Sequence, residues 1–183
     1  SWLAPSLPTG PWIVMVISAI AFLSFFLAPK KGILARMLKQ RNNQRIINEE
    51  NVLKAFYQLG EETGDFLAVR SAEAILSRRA MPAEALGGHL KRLSTKGYTE
   101  ELASGWSLTP EGMRKGQRIV RLHRLWELYL TTKMNIAPDH VHDDADTVEH
   151  LITPELEAEL ERQLDYPASD PHASRIPYSD PLP

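Results

Sequence analysis

Histidine and acidic side chains recur at helical spacing in the stretch from His123 to His150. His123 and Glu127 are four residues apart, so a helix would present both side chains on one face. A second set follows at positions that fall, at about 100° per residue, within an arc of about 100° on a helix. Its members are His142, Asp146, Glu149 and His150. Two such helices facing each other would bring three imidazoles and three carboxylates together, which predicts a divalent-metal site.

The donor types narrow the choice of metal. Imidazole and carboxylate ligands suit Mn²⁺, Fe²⁺ or Zn²⁺, and a chain without cysteine has no thiolate to offer. We therefore expect Mn²⁺ or Fe²⁺, with Zn²⁺ as a further candidate. The competing interpretation is a solvated helix face that carries these residues without binding metal. A metal hydrolase is a weaker alternative, because no nucleophile motif accompanies the cluster, and we predict that the chain is not an enzyme.

Strong helix starts frame the metal-binding stretch. Thr109-Pro110 predicts a helix running to about Lys133, because Thr caps a helix and Pro suits its first turn. A second helix is expected from Pro138 to about Ile152. Thr153-Pro154 repeats the start signal for a third. The end of the chain is rich in proline and predicts an extended tail.

The region before these helices has a different pattern. Apolar residues at helical spacing predict three helices, the first around Val52–Leu59, the second over 67–79 and the third after Pro82. Two short strands, 98–102 and 106–109, follow around a turn at Gly105. Three helices and a small hairpin are the order of a winged helix-turn-helix. The expected fold class is therefore mainly α.

An apolar run from Pro11 to Ala28 predicts one transmembrane helix before the winged helix. The run has no charge, and Trp12 lies where an interfacial aromatic residue is expected. Lys30 and Lys31 begin a basic connector, which by the positive-inside rule is cytoplasmic. A signal peptide and a buried core helix are the alternatives. Because the first residue is Ser1 rather than Met, we expect the chain to be a portion of a longer one.

The metal-binding stretch resembles the diphtheria-toxin-repressor family of iron- and manganese-dependent bacterial repressors. The shared features are a His-x-x-x-Glu pair, a Val-His-x-x-x-Asp-x-x-Glu-His run, a Glu-rich helix after it, and a Pro-His-x-x-x-Ile-Pro ending. The resemblance covers roughly residues 46–177. It implies a winged helix, a helical metal-binding domain that forms homodimers, and a metal-sensing function. We expect no counterpart of the SH3-like third domain of the iron sensors within these 183 residues.

The resemblance also implies two metal sites. The matching ligands are His123, Glu127 and His142 for an ancillary site, and Asp146, Glu149 and His150 for the core of a primary site. Asp146 stands where iron sensors place Cys and manganese sensors place Glu, which favours Mn²⁺. The family's ligand from the first helix corresponds to Asn51, an uncharged amide, so the primary site would be weaker or rearranged.

The N-terminal stretch SLPTGPWIVMVISAIAFLSFFLAPKKG resembles the last transmembrane segment of zinc/manganese-type ABC importer permeases. The predicted organisation is a transmembrane segment at 1–28, a basic connector at 29–45, a winged-helix-like domain at 46–117, a metal-binding and dimerisation domain at 118–166, and a tail at 167–183. The expected location is the bacterial inner membrane, with the globular part cytoplasmic. The expected partners are a second copy of the chain, the membrane, and the importer's ATPase and permease subunits.

Two functions follow from these resemblances. The first is a Mn²⁺/Fe²⁺-sensing domain that controls uptake by a metal importer. The alternative is a membrane-tethered or released metal-dependent transcriptional repressor. The stretch from Met81 to His89, where such a repressor reads DNA, holds an acid, two glycines and several alanines, with few donors for bases or phosphates. The sequence therefore does not favour specific DNA binding.

Overall fold

The computed structural model describes residues 9–27, 33–136 and 152–178. The chain divides into two compact units, Ser1–Ile46 and Ile47–Pro183. His142, Asp146, Glu149 and His150, together with the helix expected around them, lie outside the described residues.

The first unit contains helix α1 (Thr9–Leu27) and the beginning of helix α2 (Ile33–Thr63). In the part of the chain that the structure describes, no helix combines the length and the apolar character needed to cross a bilayer. The predicted transmembrane helix is therefore wrong. The 19 residues of α1 span about 28 Å, and the first two are Thr9 and Gly10, whereas a bilayer core of about 30 Å requires about 20 apolar residues.

The second unit begins within α2 and continues with two shorter helices, α3 (Ala72–Arg78) and α4 (Ala83–Thr95). α3 begins later than the sequence pattern indicates. The backbone of Arg70 instead forms a bridge with Trp106, with N–O distances of 2.7 and 2.9 Å. Ser71 then caps the helix, its hydroxyl accepting a hydrogen bond from the amide of Ala74 at 3.3 Å. A long-range pairing thus competes with local helix propensity and shortens the helix.

An antiparallel hairpin follows, formed by strands β1 (Thr99–Leu102) and β2 (Gly105–Leu108). Helix α5 (Pro110–Lys133) starts directly after it, and α6 (Pro154–Gln163) is the last described helix. Both helix starts agree with the sequence prediction. Thr109 accepts a hydrogen bond from Gly112 N at 3.0 Å, and Thr153 accepts one from Leu156 N at 3.4 Å. The order of α2, α3, α4 and the hairpin is that of a winged helix.

The main core lies where α2, α4 and α5 meet. Each helix contributes fully buried side chains to it: Phe56 on α2, Leu90 on α4 and Met113 on α5 are each at most 1% exposed. Burying each such side chain stabilises the fold by about 1.5–3 kcal/mol. A smaller cluster joins Leu122 on α5 to Leu160 on α6. α5 therefore belongs to both clusters and connects the winged helix to the C-terminal part.

The segment after α6 forms a turn and folds back on itself, whereas the sequence predicts an extended tail. Asp170 Oδ1 accepts hydrogen bonds from the amides of His172 and Ser174, at 2.9 and 2.8 Å, which closes a turn. The amide of Ile176 donates to the carbonyl of Ala168 at 2.9 Å. The Ile176 side chain is 2% exposed. One apolar side chain thus anchors a Pro-rich segment that composition alone describes as extended.

Replacing Gly112 with alanine should destabilise the fold, because α5 starts in close contact with the turn before β1. A Cβ atom at Gly112 would lie 1.9 Å from the carbonyl oxygen of Tyr98. The backbone must then shift, at a cost of about 1–3 kcal/mol. Gly87→Ala on α4 is the matched control, since a Cβ atom there meets nothing within 4 Å. We expect it to stabilise the helix by about 0.5–1 kcal/mol. Denaturant unfolding measures both changes, and equal stabilities would contradict the close packing of α5 against Tyr98.

Candidate metal centre

His123 and Glu127 lie together in the middle of α5, as their spacing predicts. Both side chains are buried, and His123 Nε2 is 3.1 Å from Glu127 Oε1. An imidazole and a carboxylate at this distance, both shielded from water, could act as two ligands of one divalent cation. The helix positions them one turn apart because residues i and i+4 share a face.

Helix α2 brings two further polar side chains into the buried part of this unit. Asn51 is 4% exposed, and its Oδ1 has no hydrogen-bond partner among the residues that the structure describes. Lys54, one turn further along α2, is 5% exposed, and its Nζ lies 2.8 Å from His123 Nδ1. Sequence reasoning missed Lys54. The sequence does contain a signal for it, because Lys54 lies within the apolar run Val52–Tyr57, and a charge buried in such a run needs a partner.

The described residues hold only part of the predicted ligand set. Over residues 9–27, 33–136 and 152–178, no group of at least three His, Asp or Glu side chains could hold a metal ion together. His142, Asp146, Glu149 and His150 lie outside these ranges, and their assignment as ligands stays a prediction. The assignment of His123, Glu127 and Asn51 as ligands likewise stays a prediction.

The chemistry of the described donors fits a divalent cation. Imidazole, carboxylate and amide oxygen are ligands that Mn²⁺, Fe²⁺ and Zn²⁺ accept. The unpartnered Asn51 Oδ1 is unusual, because buried side-chain acceptors normally have a hydrogen-bond donor. A cation would provide the missing partner. The lysine ammonium on His123 is the one feature that does not belong in such a ligand set.

Arg124, the neighbour of His123, joins three parts of this unit. Its guanidinium donates to both carboxylate oxygens of Glu61 on α2, each at 2.8 Å, and Nε lies 3.6 Å from Asp170 Oδ2. It also donates to the carbonyl of Arg175. Burial by itself would lower the pKa of Arg124, but the hydrogen bonds and charge of Glu61, with Asp170, outweigh it and raise the pKa. The network fixes the turn of α5 that carries His123.

A second buried carboxylate connects α2 to α4 within the winged helix. Glu49 is 2% exposed and accepts a hydrogen bond from Arg92 Nε at 3.0 Å and another from Lys96 Nζ. His89 lies beside this pair, with Nδ1 3.3 Å from an Arg92 nitrogen. Burial lowers the pKa of His89, and the nearby charge of Arg92 lowers it further. Arg92 and Lys96 are therefore engaged in ion pairs within the fold.

The surface of the hairpin is acidic. Glu100 and Glu101 on β1 are both exposed, and Glu84 is exposed in the first turn of α4. Carboxylates at these places repel phosphates, whereas DNA-binding winged helices use cations and hydrogen-bond donors there. Lys91 is an exposed cation on the same helix. The described surface of the hairpin thus presents carboxylates rather than cations.

Comparison with known proteins identifies the class to which this arrangement belongs. Residues 109–178, from the cap of α5 to the end of the described chain, match the family of iron-dependent repressor metal-binding and dimerisation domains. The diphtheria toxin repressor of Corynebacterium diphtheriae is 31% identical over 73% of this chain and 55% of its own length. The resemblance seen in the sequence is confirmed: residues 109–178 match the metal-binding and dimerisation domain of the iron-dependent repressors, and the chain is similar to the diphtheria toxin repressor. The matched domain is a dimerisation domain, which supports a homodimer.

Other relatives match a larger part of the chain, and their names describe membrane proteins of metal transport systems. A "Probable metal transport system membrane protein" of Chlamydia trachomatis is 31% identical over 93% of this chain. The "Manganese transport system membrane protein MntC" of Bacillus subtilis is 28% identical over 75% of this chain. The chain spans 38% and 31% of these two relatives' lengths. These matches support the resemblance to metal importer permeases, and neither name describes an enzyme.

Solved structures agree with the fold. The manganese regulator SloR has a TM-score of 0.63 and 27% identity, and the match covers 74% of this chain and 61% of that one. A manganese-dependent transcriptional repressor in complex with manganese has the same TM-score and identity, covering 72% of this chain and 59% of that one. The repressor ScaR is known with bound Zn²⁺. The metals of these relatives are among those predicted from the donor types.

Proposed function

We propose that this chain is a manganese- or iron-dependent transcriptional regulator, with Zn²⁺ as a further metal it accepts. The observation that carries the proposal is the buried His123–Glu127 pair at 3.1 Å, within the domain that matches the iron-dependent repressors. The predicted ligands are His123, Glu127 and His142 at one site, and Asp146, Glu149 and His150 with Asn51 at the other. The metal would act as a bridge between the helices that carry these ligands.

Helix α2 provides a route from the predicted metal ligands to α4. It carries Asn51, a predicted ligand, and Lys54, which contacts the predicted ligand His123. Two residues before Asn51 it carries Glu49, whose carboxylate holds Arg92 and Lys96. A change in the position of α2 relative to His123 is therefore transmitted to α4. Metal shifts the protein between two arrangements only by binding one of them more tightly.

A transcriptional regulator and a regulator of metal import both require the metal-responsive unit to face the cytoplasm.

A gel shift tests this function. The whole chain is mixed with the DNA upstream of its own coding sequence, with Mn²⁺ and with a chelator. We expect a shifted band that forms with Mn²⁺ and disappears in the chelator. Replacing Lys91 with glutamine should weaken the shift, since an exposed cation on α4 contributes to phosphate contacts. A band pattern that is the same with and without Mn²⁺ would contradict a metal-dependent repressor.

A second function is favoured by two observations, the transport names of the relatives that match over most of the chain and the acidic hairpin. In this function the metalloregulator controls a metal importer directly, through contact with its permease and ATPase subunits. The test is co-purification of the chain with those subunits in Mn²⁺ and in chelator. A difference between the two conditions, together with a negative gel shift, would favour this second function.

A further inference from the structure

Lys54 is buried against a predicted metal ligand, although lysine is not itself a ligand of Mn²⁺ or Fe²⁺ in this donor set. Its Nζ is 2.8 Å from His123 Nδ1, within hydrogen-bond distance, and both side chains are at most 5% exposed. A buried ammonium is costly unless it is paired, so this contact is part of how the fold accommodates the charge. The contact joins α2 to α5 at the position of the metal site.

The hydrogen bond defines which imidazole nitrogen carries the proton. An ammonium group is a donor only, so Nδ1 of a neutral His123 accepts and has no proton. The proton is then on Nε2, which donates to Glu127 Oε1 at 3.1 Å. In this arrangement Lys54, His123 and Glu127 form a chain of donors and acceptors, and both imidazole nitrogens are in use.

Metal coordination requires a different arrangement. A histidine bound to metal through one nitrogen has its proton on the other, and that N–H needs an acceptor. If Nε2 takes a metal beside Glu127, Nδ1 becomes a donor that faces the ammonium of Lys54. If Nδ1 binds the metal instead, the metal needs the position beside Nδ1 that the Lys54 ammonium occupies. In both cases the ammonium has to withdraw from His123 before the imidazole can bind a cation.

We infer that Lys54 is a built-in competitor for the metal, an ammonium on α2 that holds His123 when no metal is bound. The inference rests on the proposed metal-dependent function. Metal and lysine exclude each other at His123, so the Lys54 contact sets the concentration at which the protein responds. The displacement of Lys54 also moves a residue of α2, the helix that holds Arg92 and Lys96 through Glu49. Lys54 thus sets the metal affinity of the sensor and is not itself a metal ligand.

The test is a titration of the whole chain with Mn²⁺ by calorimetry. Lys54→Met removes the ammonium and keeps most of the side-chain volume. We expect Mn²⁺ to bind about 10-fold to 100-fold more tightly, in line with the loss of one competing charge-assisted hydrogen bond. Lys54→Gln serves as a second variant in case the first does not fold. Lys115→Met is the matched control, because Lys115 joins α5 to Glu50 of α2 at 2.7 Å and should leave the affinity unchanged.

Nitrogen NMR of the metal-free chain provides an independent measurement. We expect His123 to have an unprotonated Nδ1 in the wild type and to change its tautomer in Lys54→Met. Two results would overturn the inference and leave the proposed function intact. One is a wild-type chain that binds Mn²⁺ as tightly as Lys54→Met does, and the other is a protonated Nδ1 of His123 in the wild type. If neither the wild type nor the Lys54 variants bind Mn²⁺, both the proposed function and the inference fail.

Discussion

Replacing His123 with glutamine should weaken Mn²⁺ binding by at least about 100-fold. The glutamine keeps a polar side chain of similar reach that Lys54 can still contact, but it removes the imidazole. Loss of groups that only support metal ligands costs about 10-fold to 100-fold in affinity, so the loss of a ligand itself should reach or exceed the upper end of that range. Glu127→Gln should have a comparable effect, because it removes the negative charge that lies 3.1 Å from His123 Nε2.

The matched control for this prediction is His172→Gln. His172 is an exposed histidine in the turn after α6, and the described contact of this residue is a backbone amide bonded to Asp170. Its replacement should not change the affinity. Calorimetry measures all three variants, and circular dichroism shows that each is folded. A His123→Gln chain with wild-type affinity would remove His123 from the metal site.

Replacing Arg124 with methionine should destabilise the second unit by about 2–4 kcal/mol. Removal of one partner from a buried ion pair costs about 3–5 kcal/mol. The cost is reduced at this position because the Glu61 side chain is 29% exposed and regains some solvation. Asp170, whose side chain is 4% exposed, loses its cation but keeps two backbone donors. Urea unfolding at neutral pH measures the change.

An exposed pair on α6 is the control for Arg124. Arg162 and Glu159 are one turn apart, with side chains 69% and 41% exposed, and exposed pairs of this kind contribute little to stability. Arg162→Met should therefore have the stability of the wild type. Combining Arg124→Met with Glu61→Gln should restore part of the lost stability, since the unpaired carboxylate is removed. An Arg124→Met chain as stable as Arg162→Met would show that the network does not hold α5, α2 and the C-terminal segment together.

Local signals in the sequence predict those parts of the fold that local interactions determine. The starts of α5 and α6 follow from Thr-Pro pairs whose hydroxyls cap the helices in the structure. The shared face of His123 and Glu127 follows from helical spacing alone. These features depend on residues within one or two turns of each other, so the sequence is sufficient to predict them.

Other features depend on contacts between distant residues, and the sequence did not predict them. α3 starts at Ala72 rather than near Leu67 because Arg70 pairs with Trp106. The contact of Lys54 with His123 joins positions 69 residues apart, and no local pattern indicates it. The transmembrane prediction for residues 11–28 was wrong for another reason. It relied on the apolar composition of the run, whereas no described helix combines the length and the apolar character that a bilayer requires.

The most direct test of the central claim, that this chain binds Mn²⁺ through His123, is pulsed electron paramagnetic resonance of the Mn²⁺-loaded chain. Imidazole bound to Mn²⁺ produces nitrogen hyperfine couplings that hydrated Mn²⁺ does not show. We expect these couplings in the wild type, a reduced nitrogen contribution in His123→Gln, and no change in His172→Gln. A wild-type spectrum without nitrogen couplings, or one that His123→Gln leaves unchanged, would contradict the claim.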